Sequence, residues 1–382
     1  MNRHLRSVAI ATRVTCALAG LLGISLGSVE AAWSGSPQAS PRVTQVAPGT
    51  FGIPSGDDTV FSVDSAIGPI EYRSARGVRF GNTGLNVGGF STVELAREEG
   101  EPVDVALDGI NLLVLFEPIH AFRTFAELEI GNIFDYEAGG AVQSQPDLHV
   151  ERLYGELSLD DPINIRFGKF QTPIGRWNLV PAEPFVWTAT TPAVLETAFD
   201  EHQTGLLLGG TFFPLDGALE YWLYGQVMDP LSPSTTPPPT DRSVGGRLQF
   251  TRSIQGWSVG SSFLASDRKG SWSYLGGLDT EIQVGPFELL SEFTYQRGAI
   301  KDRDILDIWV QGRVEIVRDL SLVARFERYD KLGSRNQDSV IGDLGVACLP
   351  VPWLNMKVGY RLSDRQNADV RRGLFTSFSV IF

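Results

Sequence analysis

The chain has 382 residues, a formal charge of -13 at pH 7, 41 Gly, 22 Phe and two Cys. Acidity on this scale argues against a nucleic-acid partner. A hydrophobic share of 42% against 20% charged residues excludes an intrinsically disordered polymer.

Residues 1–31 read as a secretory signal peptide. Arg3, Arg6 and Arg13 precede the apolar run Val14 to Leu26, and Val29-Glu30-Ala31 offers small residues at the spacing for cleavage. The run is shorter than the roughly 18 apolar residues a membrane anchor needs. Cleavage there removes three Arg and one Glu, which takes the charge from -13 to -15. It also removes Cys16 and leaves Cys348 alone, read as a small apolar strand residue. Residues 32–80 form the lead-in: Trp33 to Gly56 is rich in Ser, Pro, Gly and Thr and predicts flexible chain, while Phe61 to Phe80 is ambiguous.

From about residue 81 to Phe382 one pattern repeats. Residues 83 to 97 put Leu85, Val87, Val93 and Leu95 on one face and Asn86, Thr92 and Glu94 on the other. The same period of two runs through 121 to 131, 304 to 317 and 353 to 363, and predicts strands with one oily and one wet face. Seven short turns, among them Asp160-Asp161-Pro162, Gly285-Pro286 and Arg318-Asp319, alternate with eight longer polar loops. Fifteen connections join sixteen strands, or eighteen if Phe61 to Phe80 supplies a further pair. Short turns on one side and long loops on the other are the pattern of a transmembrane antiparallel β-barrel. A soluble β-sandwich shares the alternation, but not the exported N-terminus, the loop asymmetry or the last strand, 371 to 382, which ends on Phe382.

The longest loop, Thr172 to His202, joins the fifth and sixth predicted strands. Loops of this length in a compact domain are mostly functional, and Trp177, Phe185, Val186 and Trp187 make this one too apolar to stand in water. It is expected to fold into the lumen and narrow it; the alternative is an external flap packed on neighbouring loops or on a neighbouring subunit. Its charges, Arg176, Glu183, Glu196, Asp200 and Glu201, are the candidate constriction residues. Arg123, Glu127, Arg152, Glu156 and Arg166, on strands three to five, are the candidate lining. Two readings stay open for the three arginines: a basic strip opposed to the loop carboxylates, or ordinary ion pairs with Glu127, Glu129 and Glu156. His120, His149 and His202 show no metal-ligand spacing, so no catalytic residue, metal or cofactor is assigned and no enzyme is read. The Pro-rich Pro230 to Asp241 reads as stiff surface decoration.

Gly168 to Asn178, GKFQTPIGRWN, followed by Val186-Trp187-Thr188, Thr191-Pro192 and Glu201 to Gly205, resembles the phosphate-selective porin O and P superfamily, in particular its broad porin-like branch. The resemblance runs from about Gly77 to Phe382. It implies sixteen strands, an inward third loop, a homotrimer, terminal-strand recognition by the barrel assembly machinery, and passive uptake of small hydrophilic solutes or ions across the Gram-negative outer membrane, with its lipid as surroundings. By parity, luminal acids outnumber luminal bases, which predicts a weak preference for cations. The alternatives are a substrate-selective channel for an anion, phosphate or an organic acid, and a barrel that is not a channel but an enzyme, an adhesin or a structural protein.

Overall fold

The period-two segments pair edge to edge into a closed cylinder in the computed structural model. It describes residues 59–382 apart from 181, 227, 232–239, 253–255, 299–303, 333–337 and 365–369. The signal peptide, the lead-in as far as residue 58 and most of the Pro-rich stretch lie outside the described residues.

Three short strands come first: β1 (Thr59–Val63), β2 (Ile70–Arg73) and β3 (Gly77–Phe80). Sixteen longer ones follow: β4 (Leu85–Glu98), β5 (Val103–Ile119), β6 (Phe122–Glu137), β7 (Asp147–Asp160), β8 (Ile163–Gln171), β9 (His202–Phe212), β10 (Ala218–Gln226) and β11 (Arg242–Arg252). The remainder are β12 (Trp257–Arg268), β13 (Ser271–Val284), β14 (Phe287–Arg297), β15 (Asp304–Val317), β16 (Leu320–Leu332), β17 (Ser339–Val351), β18 (Leu354–Ser363) and β19 (Gly373–Ile381). Each pairs antiparallel with its sequence neighbour. β19 returns to β4 from Gly373↔Glu98 to Ile381↔Phe90, so the barrel has sixteen staves and no open edge. Phe382 completes the seam, its N–H donating to Gly89 O at 2.9 Å and its carbonyl accepting from Gly89 N–H at 2.8 Å.

Phe61 to Phe80 adds no staves. With four or five residues each, β1 to β3 are too short for the roughly 9 to 11 that cross a bilayer. They form a small meander whose β3 pairs with Leu85 to Val87 of β4, next to the stretch of that edge where β19 ends. Residues 59–80 are therefore ordered strand and turn rather than part of a flexible lead-in.

One connection departs from the expected alternation of short and long. The loop read at 266 to 271 is a two-residue turn, Lys269-Gly270, because β12 and β13 both run on to meet it. Both residues have positive φ, 53° and 80°, which is the turn that suits twisted antiparallel strands.

Outside, the staves present Leu206, Leu248, Leu278, Phe326 and Leu344, each more than half exposed. An apolar belt around a closed sheet is a surface solvated by lipid. A furrow of about 790 Å³ in this wall, bounded by Ile282, Phe287, Leu289, Leu322, Leu344 and Tyr360, belongs to that apolar surface.

Candidate functional site

The segment between β8 and β9, residues 172–201, turns into the barrel. Among its described residues the regular pieces are two single 3-10 turns, Trp177–Leu179 and Glu183–Phe185, and a short helix, α1 (Ala193–Thr197). Ile174, Trp177, Val186, Val194, Leu195 and Phe199 are all buried. They rest on apolar side chains that occupy luminal positions of the wall: Leu207, Leu264, Leu275, Ile305, Trp309 and Ile341. Trp177 meets Trp309 edge to face, with centroids 5.9 Å apart. Each such burial contributes about 1.5–3 kcal/mol.

A loop held away from water must still pair its peptide groups, and the wall supplies the partners. Glu292 accepts the N–H groups of Arg176 (2.5 Å) and Trp177 (2.6 Å). Gly175, at φ 59°, lies against that carboxylate, and a Cβ there would strike it. Glu327 accepts the N–H of Ala193 at 2.6 Å. Cationic and amide side chains take the carbonyls: Arg325 donates to Thr190 O (2.9 Å) and Thr191 O (3.2 Å), and Arg361 to Thr191 O (2.8 Å). Lys357 donates to Glu183 O (2.7 Å), Asn355 to Pro184 O (2.6 Å) and Gln296 to Ala198 O (2.5 Å). Asp343 joins Arg325 and Arg361, at 2.8 and 2.9 Å, into one buried network.

The loop does not fill the lumen on the side of β4 to β8. A cavity of about 250 Å³ remains, lined by Phe90, Thr92, Asn111 and Gln171 and by the carboxylates of Glu127, Glu129, Glu151, Glu183 and Glu201. Arg152 and His202 are the basic groups at its edge. Glu151 arrives through a bulge. Glu127 pairs with Arg152 and Leu128 with Val150, so Glu151 has no opposite residue. Its carboxylate lies 3.6 Å from His202 Nδ1.

Of the loop residues singled out from the sequence, Glu183 and Glu201 line the cavity, and Glu183 also pairs with Lys357 at 2.7 Å. Arg176 does not line it: it pairs with Glu281 and donates to Ser258 Oγ at 2.5 Å. Asp200 is turned toward an external connection, accepting Thr240 N–H at 2.6 Å and facing Arg268 at 3.2 Å. Burial raises the Asp200 carboxyl above its ordinary value, against the pull of Thr240 and Arg268. Glu196 sits on α1, and its side chain lies outside the described set.

On the wall, Arg123 and Arg166 both pair with Glu156, the latter at 2.7 Å, and Arg152 pairs with Glu127. The three arginines thus pair with wall carboxylates, two of them sharing Glu156, rather than standing as a strip opposed to the loop. Register explains it: Arg123 faces Glu156, and Glu156 faces Arg166 on the next strand. Sequence reasoning passed over Glu151 in the cavity, named His202 only at the loop exit, and missed Asn355 and Gln296 among the staples. Parity alone puts Glu151 on the oily face, and only the bulge brings it inside.

No family model and no curated protein matches the chain. Solved structures do. Salmonella typhi OmpF in complex with daunomycin is similar over 80% of this chain and 99% of its own, with TM-score 0.57 and 12% identity. The anion-selective porin from Comamonas acidovorans covers 78% and 98%, with TM-score 0.54 and 11% identity. The outer membrane channel DcaP of Acinetobacter baumannii covers 78% and 97%, with TM-score 0.53 and 12% identity. Identities this low establish a shared fold: the chain has the sixteen-stranded barrel of outer-membrane porins.

Proposed function

We propose that this protein is a porin of the Gram-negative outer membrane. Small hydrophilic solutes and ions diffuse through the passage between the inward loop and β4 to β8, with a weak preference for cations. The observation that carries the reading is the loop itself. It is seated on one side of the lumen by apolar packing and by hydrogen bonds to its backbone, and it leaves a polar cavity of about 250 Å³ on the other. Five carboxylates line that passage against Arg152 and His202. Arg152 is paired with Glu127 and Lys357 with Glu183, and carboxylates still outnumber bases around the gap, so its field favours positive charge.

The resemblance of residues 168–205 to the phosphate-selective porin O and P superfamily suggests an anion route. The pairing of Arg123, Arg152 and Arg166 with wall carboxylates speaks for the opposite sign. A homotrimer is the proposed assembly, as in the trimer form of Vibrio cholerae OmpT, whose fold is similar at TM-score 0.53. Purified protein in planar bilayers tests the proposal. Stepwise currents with a cation-selective reversal potential in a salt gradient are expected; a membrane that stays silent overturns the channel, and an anion-selective potential overturns the sign.

A further inference from the structure

Behind the seated loop, Asp307 of β15 and Glu327 of β16 form a pair that the passage does not use. Their side chains are 1% and 0% exposed. Asp307 faces Tyr329 and Trp309 faces Glu327, so the two acids are diagonal neighbours on the luminal face. Their carboxyl groups lie within hydrogen-bonding reach of each other. Among the described residues, no N–H or O–H donates to either oxygen of Asp307, nor to Oε2 of Glu327. Glu327 Oε1 is occupied, holding Ala193 N–H at the start of α1.

The surrounding charges are committed elsewhere. From β14, Glu292 caps Arg176 and Trp177 N–H. From β16, Arg325 hydrogen-bonds Asp343 and the loop carbonyls, and its Nε stands 3.9 Å from Glu327 Oε2. From β17 and β18, Asp343 and Arg361 bond each other. The loop side adds the hydroxyl of Thr197, bonded to Tyr329 Oη at 2.8 Å, and Lys331 lies over the Tyr329 ring. Two ionised carboxylates in contact in so enclosed a place would repel strongly. One proton between them pairs an oxygen of Asp307 with Oε2 of Glu327 in a single bond.

We infer that Asp307 is a positioning residue of the constriction: its carboxylic acid donates its O–H to the Glu327 carboxylate, and this singly protonated pair lets Glu327 hold α1 against the wall. When that proton leaves to solvent, two like charges face each other and the carboxylate that anchors Ala193 is pushed from its place. The 190–199 part of the loop then lifts and the passage widens. The inference rests on the proposed reading of the loop as a channel constriction, so its test needs two readouts.

The first is single-channel conductance of the full protein in planar bilayers from neutral to alkaline pH. Wild type is expected to open further as pH rises. Asp307→Asn, neutral at every pH and able to donate to Glu327, is expected to lose that rise and remain at the narrow level. Glu327→Gln, which keeps an oxygen for Ala193 N–H, is expected to do the same. The second readout is the infrared carbonyl stretch of a buried carboxylic acid in lipid-reconstituted protein, present in wild type and lost in Asp307→Asn. A conductance flat in pH, an alkaline rise that persists in Asp307→Asn, or an infrared band unchanged by the substitution each overturns the inference. Silent membranes from every variant instead overturn the porin reading, and the infrared band then decides the shared proton by itself.

Discussion

The two sides of the lumen solve opposite problems with the same residue types. Toward β14 to β18, carboxylates and guanidinium groups grip the main chain of the loop: Glu292 and Glu327 its N–H groups, Arg325 and Arg361 its carbonyls. Toward β4 to β8 they grip one another, Arg152 on Glu127 and Arg166 on Glu156, and further carboxylates line a cavity. Charge on the first side is structural and enclosed, so removing one partner leaves another buried and unpaired. Charge on the second side borders a cavity, where losing one group changes the field more than the fold. The same formal acidity therefore has two meanings, set by what the neighbouring segment offers.

This contrast can be broken most severely at Arg325. Arg325→Ala removes four hydrogen bonds to Thr188, Thr190 and Thr191 and one to Asp343, and leaves the latter buried with Arg361 and the Thr190 hydroxyl. Loss of a buried partner of this kind costs about 3–5 kcal/mol. The loop is expected to detach while the barrel persists, which would be read as larger single-channel conductance together with new protease cleavage within residues 172–201. Unaltered conductance and protection would mean that the staples do not hold the loop.

Trp177→Ala attacks the same side through packing. Truncating a buried Trp costs about 3–5 kcal/mol, and here the hydrogen bonds to Glu292 remain. Partial loosening is expected, seen as noisier open-channel current with a conductance between wild type and Arg325→Ala.

The wet side should respond in kind rather than in degree. Glu129→Gln combined with Glu151→Gln is expected to move the reversal potential toward anions with little change in conductance or in thermal unfolding of the barrel. A shift absent from this pair would remove the cavity from the ion path.

Asp200 should give the smallest effect, because it faces Thr240 and Arg268 and not the cavity. Asp200→Asn is expected to leave selectivity unchanged. Its carboxyl is raised by burial in the folded state, so the folded protein holds the proton longer than the unfolded chain does. Stability contributed by this group therefore falls as pH rises from the unfolded value, 3.8, through the raised folded one. Thermal unfolding across that window should lose this small slope in the variant.

The staves were legible because lipid on one side and water on the other impose a period of two that nothing else in the chain imitates. The inward turn of the long loop was legible too, from its length and from Trp177, Phe185, Val186 and Trp187. What escaped was set by register and by single insertions. For Arg123 and Arg166 a basic strip and ion pairs stay open until the hydrogen-bond ladder places Glu156 between them. Glu151 looks lipid-facing until a bulge turns it. One signal was present and unread: Leu207, Leu264, Leu275, Ile305, Trp309 and Ile341 are apolar residues on the wet face. A wet face has no use for such residues unless another segment covers them.

The staples also bear on how the passage can change over generations. Glu292, Glu327, Arg361, Asn355 and Gln296 bond to peptide groups of the loop, whatever side chains those positions carry. Proline at 176, 177 or 193 would delete an anchor, and a side chain at Gly175 would collide with one. Glu151, which lines the gap and faces His202 at 3.6 Å, is not one of these anchors. Drift in solute preference can therefore proceed one gap-facing residue at a time, on a support that does not register the exchange.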